Sequence, residues 1–359
     1  MKTRPPFIRN RQEIERPAAP PGATEDFGFA SELSEATGIN HLRVAHLRIP
    51  PGRRGYPPLA MDDMEIFAFV LEGTPDLWAD GHLYRLREGQ GVALNARTGM
   101  AHALINNTGG DARVFVMSEA FRRNSRVMHP ADPALRAEVE KIGMLWRNAP
   151  ERKLGPNRGM PGDVSGRKRG LPPYVRDWRD TLEKDEGGYP GSTERHGIDA
   201  KFGRRARFSR IGVHFEVLPA GRRTSWPHAE RDEEEWVYVV AGAVETWIDG
   251  HLHKMTEGDF IGYEARTGIT HVTINNSGED ALLLVGAEAG RAKNQFWYPL
   301  HPHRDKEIGE LFWHDHPKVK LGPHDGLPDA LRDRLPAAAR KDPIKANRAA
   351  MKLKPARKP

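Results

Sequence analysis

Residues 227–242, PHAERDEEEWVYVVAG, align without a gap on residues 58–73, PLAMDDMEIFAFVLEG, at a constant offset of 169. The match extends well beyond these stretches. DGHLYRLREGQ at 80–90 returns as DGHLHKMTEGD at 249–259, and ARTGMAHALINNTGGDA at 96–112 as ARTGITHVTINNSGEDA at 265–281. PPFIRN at 5–10 returns as PPYVRD at 172–177, PGATE at 21–25 as PGSTE at 190–194, and RKLGPNRGMP at 152–161 as VKLGPHDGLP at 319–328. A long internal repeat restricts the fold more than any local propensity does, because both copies must adopt one architecture. Copy one runs from about Pro5 to Asp163 and copy two from about Pro172 to Asp329, with GRKRG at 166–170 in the joint. The expected domains are 1–165 and 166–330. Residues 331–359 form a basic tail, expected to be largely disordered.

Each copy reads as short strands. The chain of 359 residues holds 36 Gly and 29 Pro, so turns are frequent. VYVVAGAVETWIDG alternates bulky residues and turns at Ala241–Gly242. It turns again at Asp249–Gly250, where Asp-Gly between apolar runs is a hairpin signal. THVTINNSGEDALLLVGAE suggests a further hairpin around Asn276–Asp280. Closely spaced strands with Gly turns imply a sandwich or barrel, hence an all-β class. Helical pattern is confined to 133–143 and the matching 303–311.

The copies differ where chemistry would sit. His228 faces Leu59, Glu230 faces Met61 and Glu235 faces Ile66, while His271 keeps its counterpart His102. His228 and Glu230 share one face of a strand, as do His271, Thr273 and Asn275. Glu235 opens the apolar strand EWVYVV, where a carboxylate needs a charged partner or a cation. The chain has no cysteine. This excludes disulfides, thiolate nucleophiles and thiolate metal sites, so a metal must rely on His and carboxylates. Bringing the two segments together yields two imidazoles and one or two carboxylates, a set suited to Fe(II), Mn(II), Ni(II) or Zn(II).

These residues follow the two motifs of the cupin superfamily. Gly221, His228-x-Glu230, Glu235 and Gly242 resemble the first motif, with Glu230 in place of its second His. Gly258, Gly268-x-x-His271 and Asn275 resemble the second, with Glu264 in place of its usual Pro. The chain as a whole resembles a bicupin. The resemblance implies two tandem jelly-roll barrels with a few short helices. The metal motif of copy two is similar to that of 3-hydroxyanthranilate dioxygenases, which carry Glu at the same place and bind iron through the first His, the motif Glu and the later His. The resemblance therefore implies one divalent metal per chain, Fe(II) first, with Mn, Ni or Zn as alternatives. The ligands are His228, Glu235 and His271, with Glu230 either a fourth ligand or a base beside them.

Copy comparison adds a pocket. Thr273 replaces Leu104, Tyr238 replaces Phe69, Tyr263 replaces Leu94, and His214 and Glu216 replace Ala45 and Leu47. Polar substitutions around a metal are what a substrate needs. Val213, Phe215 and Val217 compete with His214 and Glu216 for the inward face. Glu230 and Tyr238 are the candidate proton carriers, and Thr273, Tyr263 and His214 the candidate wall. Residues identical in both copies, such as Trp78 and Trp247 or Asn106 and Asn275, are expected to serve the fold. In copy one Leu59, Met61 and Ile66 fill the vacated site by burial. Glu65, one residue off register, is discounted as a ligand.

The leading expectation is a metal-dependent enzyme, a non-haem Fe(II) dioxygenase acting on a small anionic or aromatic compound. A Mn- or Zn-dependent isomerase, lyase or decarboxylase is the alternative, and a non-catalytic binding cupin a third. The net charge of +6 gathers in the tail, where Arg340 to Lys358 hold eight basic residues and one acid. No aromatic interleaving accompanies it, so no nucleic-acid partner is expected. No membrane partner is expected either, while a homodimer is compatible with the sequence. The N-terminus MKTRPPFIRN lacks the apolar core of a signal peptide, which points to the cytoplasm.

Overall fold

The computed structural model describes residues 4–18, 25–186, 188–289 and 293–353. The PGATE segment lies almost wholly outside them. Each copy folds as two facing β-sheets. In copy two the large sheet runs Ile8–Asn10, Asp259–Tyr263, Glu235–Ala241, Ala281–Glu288, Ile211–Leu218, Ile198–Ala200. It faces a smaller sheet of His251–Thr256, Ala243–Ile248 and His271–Ile274. Copy one repeats the plan, with Ile66–Glu72 between Gln90–Leu94 and Ala112–Glu119 in its large sheet. These are two jelly rolls, and the all-β reading holds.

The Asp-Gly turns behave as their chemistry requires. Asp80 and Gly81 take φ of 46° and 79°, and Asp249 and Gly250 take 47° and 87°. Both central residues sit in the left-handed region that a tight two-residue hairpin demands. The segment around Asn276–Asp280 is different. The strand before it, His271–Ile274, belongs to the small sheet, and the strand after it, Ala281–Glu288, to the large one. The expected hairpin is therefore a crossover between layers. Asn275 holds it by donating to Leu218 O (2.8 Å) and Glu279 O (2.9 Å), as Asn106 does to Ile49 O and Gly110 O (both 2.7 Å). The shared tryptophans are anchors as well: Trp78 donates to Asn157 O and Trp247 to His324 O.

The copies are not beads on a string. Ile8–Asn10, at the start of copy one, pairs with Asp259–Tyr263 of copy two, and Val175–Asp177 of copy two pairs with Gln90–Leu94 of copy one. Arg167–Lys168 also joins copy one, alongside His82–Arg85. A cut at 165/166 thus divides the repeat but not the sheets. The outer faces of the large sheets share one core, where Phe67, Phe69 and Phe115 meet Phe215, Trp236, Tyr238 and Phe260. Phe69 stacks on Phe215 at 5.3 Å, and Phe115 lies 5.0 Å from Trp236.

Two buried carboxylates lock this interface reciprocally. Glu234 accepts the backbone N–H groups of Asn40, His41 and Leu42, at 2.8, 2.9 and 3.2 Å. Its repeat partner Glu65 accepts those of Ser209, Arg210 and Ile211, at 2.8, 3.0 and 3.1 Å. Glu65 therefore has a structural task, consistent with its exclusion from the ligand set.

The tail departs from expectation. Helices Asp329–Arg332 and Pro343–Ala350 pack on copy two, burying Leu335, Ala346 and Ala350 with Leu327. Asp342 caps the second helix by accepting from Ile344 N and Lys345 N, with Pro343 in its first turn. Asn347 is fully buried, and its Oδ1 accepts from Arg223 at 2.9 Å. Ala346 and Ala350, four apart, form an apolar stripe beneath the exposed Lys345 and Arg348. Net charge concealed this spacing; the last basic residues, Lys354 to Lys358, lie outside the described segments. The expected helix at 133–143 is Pro133–Lys141, and that at 303–311 is Pro302–Glu307 followed by a short 3₁₀ turn. No helix among the described residues is long and apolar enough to cross a membrane.

The reciprocal clamp predicts a stability cost. Glu65→Ala or Glu234→Ala leaves three backbone donors without an acceptor, at ~1 kcal/mol or more each. Either change should lower the thermal midpoint by several degrees. An unchanged midpoint in both would remove the clamp from the account.

Candidate metal centre

The site of copy two is built where its two sheets meet. His228 and His271 are cross-strand partners whose backbones exchange hydrogen bonds, His271 N to His228 O at 2.9 Å and His228 N to His271 O at 3.2 Å. Glu235 opens its strand and points inward with Val237 and Val239. Its Oε2 lies 3.0 Å from His271 Nε2 and 3.6 Å from His228 Nε2. These three donor atoms all fall within 4.8 Å of one another. Glu230 stands beside them, with Oε1 3.9 Å from His228 Nε2 and Oε2 accepting from Asn294.

The proton positions follow from the backbone. His228 Nδ1 lies 2.8 Å from Trp226 O, and His271 Nδ1 lies 3.2 Å from Ile269 O. A carbonyl only accepts, so each Nδ1 carries a proton and each Nε2 is left facing Glu235. Glu235 Oε2 is buried and has no hydrogen-bond partner, although His271 Nε2 is close. The two Nε2 atoms and Glu235 Oε2 thus gather around one point. That is a donor set a divalent cation fits: two imidazoles and one carboxylate.

The local electrostatics agree. Burial opposes charge on Glu235, but His228 and His271 outweigh it and hold its carboxyl well below the usual range. Burial also opposes charge on His228, and Glu235 again wins, raising it above an ordinary imidazole. Glu230 goes the other way. Burial and the Glu235 charge push its carboxyl well above the usual range. The two carboxyls are thereby pushed in opposite directions.

The expected wall is partly present. Tyr263 stacks on His271 with ring centres 3.5 Å apart, and its hydroxyl bonds Thr246 at 2.7 Å. Thr273 faces the same space, and its buried hydroxyl has no partner. Tyr238 is not there. Along Glu235–Ala241 the side chains alternate, so Glu235, Val237 and Val239 face the barrel while Trp236 and Tyr238 face the core between copies. Tyr238 packs 5.2 Å from Phe115 and cannot serve as the proton carrier. Register alone carried this answer, since 238 lies an odd number of residues from 235. His214 does face the barrel interior, because Val213 and Phe215 go to the core between copies. It groups with Asp199 and Glu216 rather than with His228.

Several residues were not legible in advance as part of the site. Tyr298, just after Phe296–Trp297, which pairs with Ala229–Glu230, lies 5.6 Å from His228 and closes the site from the exit segment. Trp226 stacks between Tyr189 (4.0 Å) and His301 (4.1 Å), fixing the approach to His228. The aromatic and His-rich composition of 296–303 was the available signal. In copy one His102 alone persists, bridged to Leu59 as His271 is to His228. Burial depresses its imidazole to about 4, so it stays neutral.

Comparisons with known proteins accord with this architecture. Residues 45–118 and 214–286 each match the Cupin domain family. The chain is accordingly a bicupin, a member of the cupin superfamily with two tandem domains. Among solved structures, oxalate decarboxylase from Lactobacillus farciminis in a formate complex has a TM-score of 0.51 at 15% identity, covering 82% of this chain and 89% of that one. A substitution mutant of Bacillus subtilis oxalate decarboxylase has a TM-score of 0.51 at 15% identity over 80% and 78%. The Bacillus subtilis enzyme described for its Mn(II) centres gives 0.50 at 14% identity over 80% and 78%. At such identities the likeness is one of fold. A comparison with curated proteins returns no match.

Two outcomes follow. His271→Ala should abolish metal retention at this centre, measured by elemental analysis after anaerobic purification, whereas His102→Leu should leave it intact. Equal metal content in wild type and His271→Ala would exclude this centre. The second concerns pH. His102 binds protons less readily when folded (about 4) than when unfolded (~6.5). Its contribution is fully present above pH ~6.5 and is lost as pH falls toward 4, roughly 2 kcal/mol at pH 5. His102→Leu should flatten the fall of the thermal midpoint between pH 7 and 5; an identical slope would contradict this.

Proposed function

We propose that this bicupin is a metal-dependent enzyme acting on a small anionic compound, and that its reaction is loss of CO₂ from a small carboxylic acid. One observation carries the reading: the donor atoms of His228, Glu235 and His271 lie within 4.8 Å of one another, with the buried Glu230 carboxyl beside them. His228, Glu235 and His271 would hold one divalent ion, Mn(II) or Fe(II). When bound, that ion supplies Lewis acidity toward the substrate's oxygens. The chain's own residues do the rest. Tyr298 and Trp226 restrict water at the mouth, and Tyr263 fixes the His271 ring. Thr273 offers an unused hydroxyl to the substrate. As the bond to the departing carboxylate breaks, its electron pair stays on carbon. Glu230 delivers its proton there, CO₂ leaves, and water restores the proton to Glu230. Asn294 keeps Glu230 in place by bonding its Oε2. The oxalate decarboxylase relatives support this choice only by sharing the barrel pair.

Fe(II)-dependent oxygenation remains the second reading. It is favoured by the count of donors, because two imidazoles and one carboxylate leave positions for O₂ and substrate. A panel of small mono- and dicarboxylic acids, oxalate included, separates the two when CO₂ release and O₂ consumption are followed together. Decarboxylation releases CO₂ without net O₂ uptake; stoichiometric O₂ uptake would replace it with the oxygenase. Glu230→Gln should lower kcat at least ~100-fold while the metal is retained. Undiminished kcat in that variant would remove Glu230 from the mechanism.

A further inference from the structure

We propose that copy two carries a second divalent-metal site, formed by Asp199, His214 and Glu216 on the inner face of its large sheet. Asp199 lies directly opposite Glu216 in the pairing of Ile198–Ala200 with Ile211–Leu218, and His214 precedes Glu216 by two residues on the same face. Ile211, Val213 and Phe215 occupy the other face, in the core between copies. The three polar side chains therefore project together into the barrel.

Their spacing is that of ligands. His214 Nε2 is 3.4 Å from Glu216 Oε2 and 3.6 Å from Asp199 Oδ1, and the three donor atoms lie within 4.8 Å of one another. Tetrahedral ligands ~2.1 Å from a metal stand roughly 3.4 Å apart. Charge-assisted hydrogen bonds between the same groups would be ~2.7–2.9 Å. Glu216 is only 3% exposed, and its Oε1 has no hydrogen-bond partner. An ionised carboxylate so placed requires a counter-charge, which a protonated His214 or a bound cation can supply. Lys201 does not supply it to Glu216: its Nζ binds Glu183 at 2.8 Å and reaches Asp199 Oδ2 at 3.5 Å, leaving Oδ1 toward His214. Gly197 makes room for the carboxylate, since a Cβ there would fall 1.8 Å from Glu216 Oε1.

Copy one provides an internal control. Ala30, Ala45 and Leu47 stand at the three equivalent positions, with Ala30 opposite Leu47 in the same register, and all are buried. Three apolar residues in one copy are thus replaced together by a His and two carboxylates in the other. The first centre differs between copies in the same way, with Leu59, Met61 and Ile66 against His228, Glu230 and Glu235. The proposed site is separate from that centre. His214 aligns through Val285 with Val237, one inward position beyond Glu235 and two strands away, roughly 10 Å. One imidazole and two carboxylates suit Zn(II), Mn(II) or Fe(II), with a coordination position left open.

The test counts metal rather than turnover, so it does not depend on the proposed reaction. Metal-free full-length chain is titrated with Zn(II) by calorimetry and by equilibrium dialysis. The variants are His271→Ala and the triple D199A/H214A/E216L, which installs the residues copy one already folds in this register. Wild type should bind one Zn(II) more than either variant, and the two losses should add when the changes are combined. Weak binding by the exit-segment histidines is common to every variant and cancels. His214→Gln, smaller in its disturbance, should weaken the second site at least 100-fold if the triple variant does not fold. The proposal is overturned if the triple variant, or His214→Gln where the triple fails, matches wild type in Zn(II) stoichiometry and affinity.

Discussion

Glu65 and Glu234 hold the two halves of this protein in their places. Each is buried, each immediately precedes an inner strand of its own large sheet, and each accepts three backbone N–H groups from the other copy. A buried carboxylate is costly unless fully bonded, and here both are. Bonding to N–H groups just before Leu42–Ile49 and around the start of Ile211–Leu218 aligns the large sheets face to face. The aromatic core between them, and the exchange of Ile8–Asn10 for Val175–Asp177, follow from that alignment. The adjacent position in the repeat is where the copies differ. Ile66 and Glu235 come immediately after the clamping residues, so one scaffold holds either an apolar side chain or a carboxylate at a fixed place.

The two barrels then answer one structural demand in two ways. A jelly roll needs its interior filled. Copy one fills it with Leu47, Leu77, Leu94, Leu104 and Val114, gaining burial at each. Copy two leaves polar groups inside: His228, Glu235 and His271 at the mouth, and Asp199, His214 and Glu216 further along the sheet. Charges in that environment must be paired, protonated or bound to a cation. The two imidazoles hold the Glu235 carboxyl below the usual range, while burial and Glu235 push that of Glu230 above it. A further buried charge pair braces copy two from outside the barrel. Arg223, fully buried, makes paired bonds to Glu194 at 2.7 and 2.9 Å and reaches the tail through Asn347.

Much of this was legible in the amino-acid order because the repeat compares the chain with itself. The offset of 169 exposed the substituted positions, and strand period placed His228, Glu230 and His271 on shared faces. The same period would have removed Tyr238 from the pocket, since it sits on the face opposite Glu235. Copy comparison suggested otherwise because it detects polarity and not direction. The tail misled for a related reason: its charge was conspicuous, while the Ala346–Ala350 stripe was short and small.

The sequence by itself determined the duplication, the strand-rich class, the turn chemistry at Asp80–Gly81 and Asp249–Gly250, and the candidate ligands at the mouth. These are local properties, set by φ, by period and by side-chain type. Only the tertiary structure decided which sheet each strand joins, that the first strands are exchanged, and that Asp199 faces Glu216 across a register. It also decided that Tyr298 covers His228 and that the tail closes on Arg223. Those facts depend on contacts between residues far apart in the chain, where nothing in the local order of amino acids specifies the partner.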